Sequence, residues 1–212
     1  MKGSTSQKVG RLVANLARNP QYLSRYVEHS ARSLLQHETP LDLEIPWFSY
    51  AAIDFLDAHV RTHMTAFEYG SGGSTIFLAK RVRSVCSVED NPTWFDLVSR
   101  RLEARAFTNV TMKLHPFDVQ NPAGFEASDY LRAIPDEAFD VIVIDGSEQW
   151  TQVRPTCFSY VESRVKPGGI IVLDDSWRYV APRLHNKAKR FEVFESVGPC
   201  RPGCTTTDVF FY

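Results

Sequence analysis

Long apolar runs are missing from this 212-residue chain. The longest, such as Ile170-Ile171-Val172-Leu173, are strand-sized, far short of the roughly 20 residues that span a bilayer. Nor is there an excess of one charge. Lys and Arg number 24 against 25 Asp and Glu, for a net charge of −1 and a sequence pI near 6.6. No global basic field is available to hold nucleic acid, so no nucleic-acid partner is expected. The N-terminus lacks the apolar segment of a signal peptide, which leads us to expect a cytoplasmic protein. Cysteine is scarce as well, with Cys86, Cys157, Cys200 and Cys204. The first two fall in a predicted strand and a predicted helix, where cysteine acts as a small apolar residue. The last two flank Arg201-Pro202-Gly203, and two sulfurs without neighbouring histidines make a poor zinc site. Free thiols in a turn are the expectation. Internal repeats and low-complexity tracts are absent too.

What is present is ample core material, 43% hydrophobic, laid out in alternating units. The most informative stretch is Phe67-Glu68-Tyr69-Gly70-Ser71-Gly72-Gly73-Ser74-Thr75. A short apolar lead-in predicts a strand, the glycines a turn, and residues 74–82 a helix. Further strands are predicted to end at Val88 and to cover residues 110–114, 140–144 and 170–173, with helices over 92–104 and 153–165 between them. A short helix around 182–189 precedes Phe191-Glu192-Val193-Phe194. A turn at 198–203 then leads into Asp208-Val209-Phe210-Phe211-Tyr212. The run 140–144 is apolar without alternation, as in a strand buried on both faces. The expected fold is therefore α/β: a Rossmann-like, doubly wound, mostly parallel sheet. No helix separates the last two strands, so they must pair as an antiparallel C-terminal end.

Residues 1–45 read as a helical extension and linker ahead of a domain over 46–212. Lys2, Lys8, Arg11, Arg18, Arg25 and Arg32 face a lone acid, Glu28, before Glu38. Val9, Leu12, Val13 and Leu16 recur at helical spacing. Asn19-Pro20 breaks the pattern before a second helix carrying Tyr22, Tyr26, Leu34 and Leu35. Such an extension packs on the domain, on a second subunit of a homodimer, or on an anionic membrane surface. After the linker, a helix over 47–60 is expected, and its Trp47 and Tyr50 are candidates to close a ligand cleft.

Two acidic residues give the glycine turn a chemical direction. Glu68 stands at the end of its strand, where a carboxylate accepts hydrogen bonds from an ammonium group and is ill placed beside a pyrophosphate. Glu89 ends the next strand about 20 residues on, where a ribose diol expects an acidic acceptor. With these residues the chain resembles the class I S-adenosylmethionine-dependent methyltransferases, whose first motif runs acidic-x-Gly-x-Gly, as in Glu68-Tyr69-Gly70-Ser71-Gly72. The likeness continues through Val88-Glu89, Asp140-Val141-Ile142-Val143-Ile144-Asp145-Gly146 and Lys166-Pro167-Gly168-Gly169-Ile170-Ile171-Val172.

The resemblance implies S-adenosylmethionine as cofactor and a hydroxyl of a small molecule or glycan as acceptor. It assigns the cofactor's amino-acid end to Glu68, Gly70, Ser71, Gly72 and Ser74. The ribose falls to Glu89, and the adenine amino group to Asp118. Asp145 faces the same cleft and counts among the cofactor-binding residues, and Glu148 occupies the offset where related enzymes often carry a histidine or lysine; these two are the candidates for proton removal. Asp145 with Asp174-Asp175, at the ends of neighbouring strands, forms an oxygen-only set suited to Mg2+ or another divalent cation. That set resembles the one in metal-dependent catechol-type O-methyltransferases, with Asp175 standing where those enzymes have an amide. The metal-free alternative gives the proton to a carboxylate and makes Asp174 or Asp175 a helix cap. Other readings of the sheet are a nicotinamide oxidoreductase, an aminopropyl transferase and a non-catalytic cofactor-binding scaffold. Glu68 disfavours the first. The second places an aspartate after the glycines, where Gly72-Gly73-Ser74 has none.

Overall fold

The computed structural model describes residues 5–118, 121–147 and 150–212. A seven-stranded sheet has the order β3-β2-β1-β4-β5-β7-β6. Its strands are β1 (Thr65–Tyr69), β2 (Ser84–Glu89), β3 (Val110–Leu114), β4 (Phe139–Ile144), β5 (Val165–Leu173), β6 (Arg190–Val197) and β7 (Cys204–Phe211). β1 to β5 pair in parallel, while β7 runs antiparallel to both β5 and β6. The antiparallel end forms as expected, because residues 198–203 hold only a tight turn. The helices are α1 (Thr5–Arg18), α2 (Leu23–Gln36), α3 (Pro40–Leu43), α4 (Tyr50–His59), α5 (Gly73–Ala79), α6 (Pro92–Ala104), α7 (Val153–Val161) and α8 (Ala181–Leu184).

Central strands show why both faces are apolar. Along β4, Val141 and Val143 join the core on one side with Leu56 of α4 and Phe77 of α5. Ile142 and Ile144 point the other way, to Cys157 and Phe158 of α7. Period-two alternation thus feeds two cores, and all four residues are fully buried.

Boundaries moved where hydrogen bonding outweighed hydropathy. β5 begins at Val165 rather than 170, with Lys166-Pro167-Gly168-Gly169 absorbed as an irregularity opposite β4. α4 begins at Tyr50 because Ser49 caps it, its Oγ accepting from the Ala52 N–H at 3.2 Å. α8 stops at Leu184, short of the predicted helix over 182–189.

The N-terminal helices pack on this sheet. Leu12, Leu16, Tyr22 and Tyr26 join the α4-side core, and the Asn15 side chain accepts from the Val197 N–H at 3.2 Å. Arg25 lies 4.2 Å from the Tyr50 ring centroid and pairs with Asp54 at 2.8 Å. Tyr50 is fully buried there, its hydroxyl 2.9 Å from His29 Nδ1, so it belongs to the core rather than to a ligand cleft. No described helix is long and apolar enough to cross a membrane.

Candidate active site

The strand order reverses between β1 and β4, and the crevice opens above their carboxyl ends, as in other doubly wound sheets. The Asp145 N–H donates to the Tyr69 carbonyl at 2.9 Å, and the Asp174 N–H to the Ile144 carbonyl at 3.2 Å. These bonds bring the ends of β1, β4 and β5 to one level. Gly70 adopts φ +84°, and a Cβ there would lie 2.7 Å from the Asp145 carbonyl. Only glycine lets the first turn lie against the end of β4.

Glu68 is completely buried beneath this turn. Its carboxylate accepts from Ser74 and, at 2.6 Å, from Thr75, and lies 3.1 Å from Ser87 Oγ. Burial pushes it up to about 7, against the lowering by the three hydroxyls. Ser74 lines the cleft, so Glu68 reaches it through that hydroxyl.

Glu89 carries a second set of bonds. Its Oε2 accepts from Ser71 N at 2.9 Å and Ser71 Oγ at 2.8 Å, and its Oε1 from the N–H groups of Asp90 and Asn91. Three of the turn's N–H groups are used internally: Gly70 donates to the Val88 carbonyl, Ser71 to Glu89 and Gly72 to Thr75 Oγ1. Carboxylate and hydroxyl oxygen therefore line the cleft at this turn, beside the first N–H groups of α5.

Two chambers share Ser71, Trp94 and Asp145. The larger, about 710 Å³, is lined by Ser74, Asp174 and Asp175 among others. The smaller, about 330 Å³, holds Glu89, Asp90 and Gly146. Gly70, Ser71, Gly72, Ser74, Glu89, Asp145, Asp174 and Asp175 are thus brought together, as the sequence suggested. Asp118 is not. It is exposed and lines a separate hollow with His115 and Phe125. Glu148 lies outside the described residues.

Three residues that sequence reasoning passed over complete the cleft. Trp94 of α6 donates its indole N–H to the Ser71 carbonyl at 2.6 Å. Arg201 reaches in from the 198–203 turn, its guanidinium 5.2 Å from the Trp47 ring centroid. Arg154, in the first turn of α7 and only 4% exposed, donates to the carbonyls of Gly146 at 3.0 Å and Asp174 at 2.9 Å. It also pairs with Asp145 Oδ1 at 3.0 Å. A charged residue on the buried face of an otherwise apolar helix was the available signal, since such a charge needs a partner.

Arginines and protons answer the repulsion among Asp145, Asp174 and Asp175. Asp175 Oδ1 accepts from Thr205 at 2.6 Å and lies 3.4 Å from Arg201; Oδ2 lies 3.7 Å from Arg178. Asp174, 2% exposed, accepts from Thr207 at 2.6 Å, and burial, with Asp145 and Asp175 nearby, holds it well above the carboxylate range. Burial pushes Asp145 up to about 7, with Arg154 opposing and Asp175 and Glu68 adding. The expected metal site is corrected accordingly. A divalent cation needs ionised oxygens aimed at one point, whereas here hydroxyls and guanidinium groups occupy them. Among the described residues no cluster of His, Cys, Asp and Glu is arranged to hold a metal.

A family model described as a methyltransferase domain matches residues 67–176, a little over half the chain. Among solved structures, a candidate O-methyltransferase from Klebsiella pneumoniae is similar over 97% of this chain and 98% of its own, at 14% identity and a TM-score of 0.60. A candidate methyltransferase from Streptococcus mutans, solved with SAH, covers 82% of this chain and 99% of its own, at 13% identity and a TM-score of 0.57. An rRNA methylase from Streptococcus thermophilus covers 74% and 92%, at 12% identity and a TM-score of 0.54. At these identities the likeness is one of fold. No curated protein sequence matches the chain significantly.

Proposed function

The chain belongs to the methyltransferase-domain family, and we propose that it transfers a methyl group from S-adenosylmethionine to a hydroxyl of a small molecule or sugar. The observation that carries this reading is the polarity of the glycine turn. The N–H groups of Gly70, Ser71 and Gly72 are spent on Val88, Glu89 and Thr75, and carboxyl and hydroxyl oxygens line the cleft beside them. Acceptors suit an ammonium, a sulfonium and a ribose diol; a pyrophosphate wants N–H donors, three of which are taken at this turn.

The fit can be stated residue by residue. Ser74 donates to Glu68, which leaves its own lone pairs to accept from the cofactor's ammonium. Glu89, which lines the smaller chamber, is assigned to the ribose diol, with the Ser71 hydroxyl turning away as the diol donates in its place. Asp118 lines a separate hollow, so the adenine amino group is not assigned to it. When bound, the cofactor supplies an electrophilic methyl on sulfur. The protein's share is orientation and proton removal. Asp145 borders both chambers, and Arg154 fixes its direction. We assign it the acceptor's proton, a role suited to a carboxyl raised toward neutrality. Arg154 then steadies the charge on Asp145 before proton transfer. No metal enters this account.

Calorimetric titration of the intact chain with S-adenosylhomocysteine and, separately, with NADH separates this reading from its nicotinamide rival. One S-adenosylhomocysteine per chain and no heat with NADH is the expected pair of results. Binding of NADH alone would overturn the proposal.

A further inference from the structure

Above β5 and β7 the cleft continues into a third chamber of about 360 Å³. It shares Asp175, Arg178 and Arg201 with the central chamber, so the three spaces follow one another along the sheet's upper edge. Its outer wall is α1, through Lys8, Val9, Arg11 and Leu12. Its inner wall holds Trp177, with the Arg178 guanidinium 4.8 Å from the indole centroid.

The charge of this lining is one-sided. Among the described residues its lining carries Lys8, Arg11, Arg178 and Arg201 and one carboxylate, that of Asp175. Asp175 lies 3.4 Å from Arg201 and 3.7 Å from Arg178, and its Oδ1 accepts from Thr205. Val9, Leu12 and Trp177 supply apolar surface between the cations. The volume falls within the range of small-molecule sites.

From this we infer that the third chamber is the acceptor site, and that the acceptor is a small hydroxylated molecule bearing an anionic group on a hydrocarbon or ring body. This deepens the methyltransferase reading and rests on it. The anionic end sits among Lys8, Arg11, Arg178 and Arg201. The body lies against Trp177 and Leu12. The hydroxyl end points past Asp175 toward Asp145. Carboxylate and phosphate share this recognition chemistry, since both accept two or more charge-assisted bonds from guanidinium groups. The N-terminal helix is then part of the binding site, which gives its basic residues a function beyond solvation.

The test uses the full chain saturated with S-adenosylhomocysteine and three probes of one shape: 4-hydroxybenzoate, 4-hydroxyphenyl phosphate and the uncharged 4-hydroxybenzamide. Binding is read by calorimetry and by quenching of tryptophan fluorescence. Both anions are expected to bind at least about tenfold more tightly than the amide, a preference that shrinks with added salt; the tighter anion identifies the head group. The double variant Lys8→Glu/Arg11→Glu should abolish the preference while leaving S-adenosylhomocysteine affinity unchanged. Lys8→Gln, on an exposed side chain, is a milder check should the double variant fail to fold, and should reduce the preference severalfold. Equal binding of all three probes, no binding by either anion, or a preference untouched in the folded variants would overturn the inference. Failure of S-adenosylhomocysteine to bind is a separate result. It would remove the methyltransferase reading, while the same probes titrated into the free chain would still report on the chamber's charge.

Discussion

Asp145→Asn is expected to lower kcat by roughly 10²–10⁴-fold, the usual worth of a positioned general base, with cofactor affinity within a few-fold of the parent. Asparagine keeps the shape and a carbonyl for Arg154, so the fold is expected to survive. The pH profile makes the test specific. Removal of a proton requires the ionised carboxylate, so kcat/KM of the parent should rise through about pH 7 and then level off. That rise should be absent from the residual activity of the variant. Added EDTA should leave the parent's rate unchanged, because Thr205, Thr207, Arg154, Arg178 and Arg201 already engage the three aspartates. A variant as fast as the parent would take the proton away from Asp145, and loss of turnover in EDTA restored by Mg2+ would reinstate the metal.

Gly70→Ala should remove most of the stability of the cleft and its cofactor binding together. Two costs combine at this position. Alanine at φ +84° is strained by about 1–2 kcal/mol. Its Cβ would also stand 2.7 Å from the Asp145 carbonyl and 2.8 Å from Gly146 Cα, both backbone, so the end of β4 must move. Overpacking of that kind costs a further 1–3 kcal/mol, roughly. Gly168→Ala isolates the first cost. That glycine has φ +83° with nothing within 4 Å of a built Cβ, and it lies far from the crevice at the start of β5. Chemical denaturation of both variants should show the larger loss at Gly70, and S-adenosylhomocysteine should bind the Gly168 variant as it binds the parent. Equal losses would mean that contact with the end of β4 contributes nothing.

Local pattern carried the parts of this structure that depend on nearby residues. Strand and turn around Gly70, the acid closing β2, the unalternating β4 and the helix-free return into β7 were all legible in sequence, because each is set by residues a few positions apart. Partnership across the sheet was not. Glu68 reads as a ligand acceptor in one dimension, yet Ser74, Thr75 and Ser87 surround it and bury it beneath the turn. The three aspartates read as a cation site until Arg154 and Arg201, remote in sequence from β5, arrive beside them. Tyr50 looked like a lid because nothing in sequence said that α2 would lie over it. The basic extension read as packing on the domain, on a second subunit or on an anionic membrane surface. Only the packing of Leu12 and Leu16 against the sheet turns Lys8 and Arg11 toward the cleft.

The central claim is that the crevice at the ends of β1, β2 and β4 holds S-adenosylmethionine, and calorimetry with S-adenosylhomocysteine on the parent and on Glu89→Ala tests it most directly. The account predicts one site per parent chain. Loss of charge-assisted bonds to the ribose should weaken it by about 1.5–3 kcal/mol, that is by roughly tenfold to more than a hundredfold, with circular dichroism unchanged. A parent chain that binds no S-adenosylhomocysteine, or a folded Glu89→Ala variant that binds it as tightly as the parent, would contradict the account.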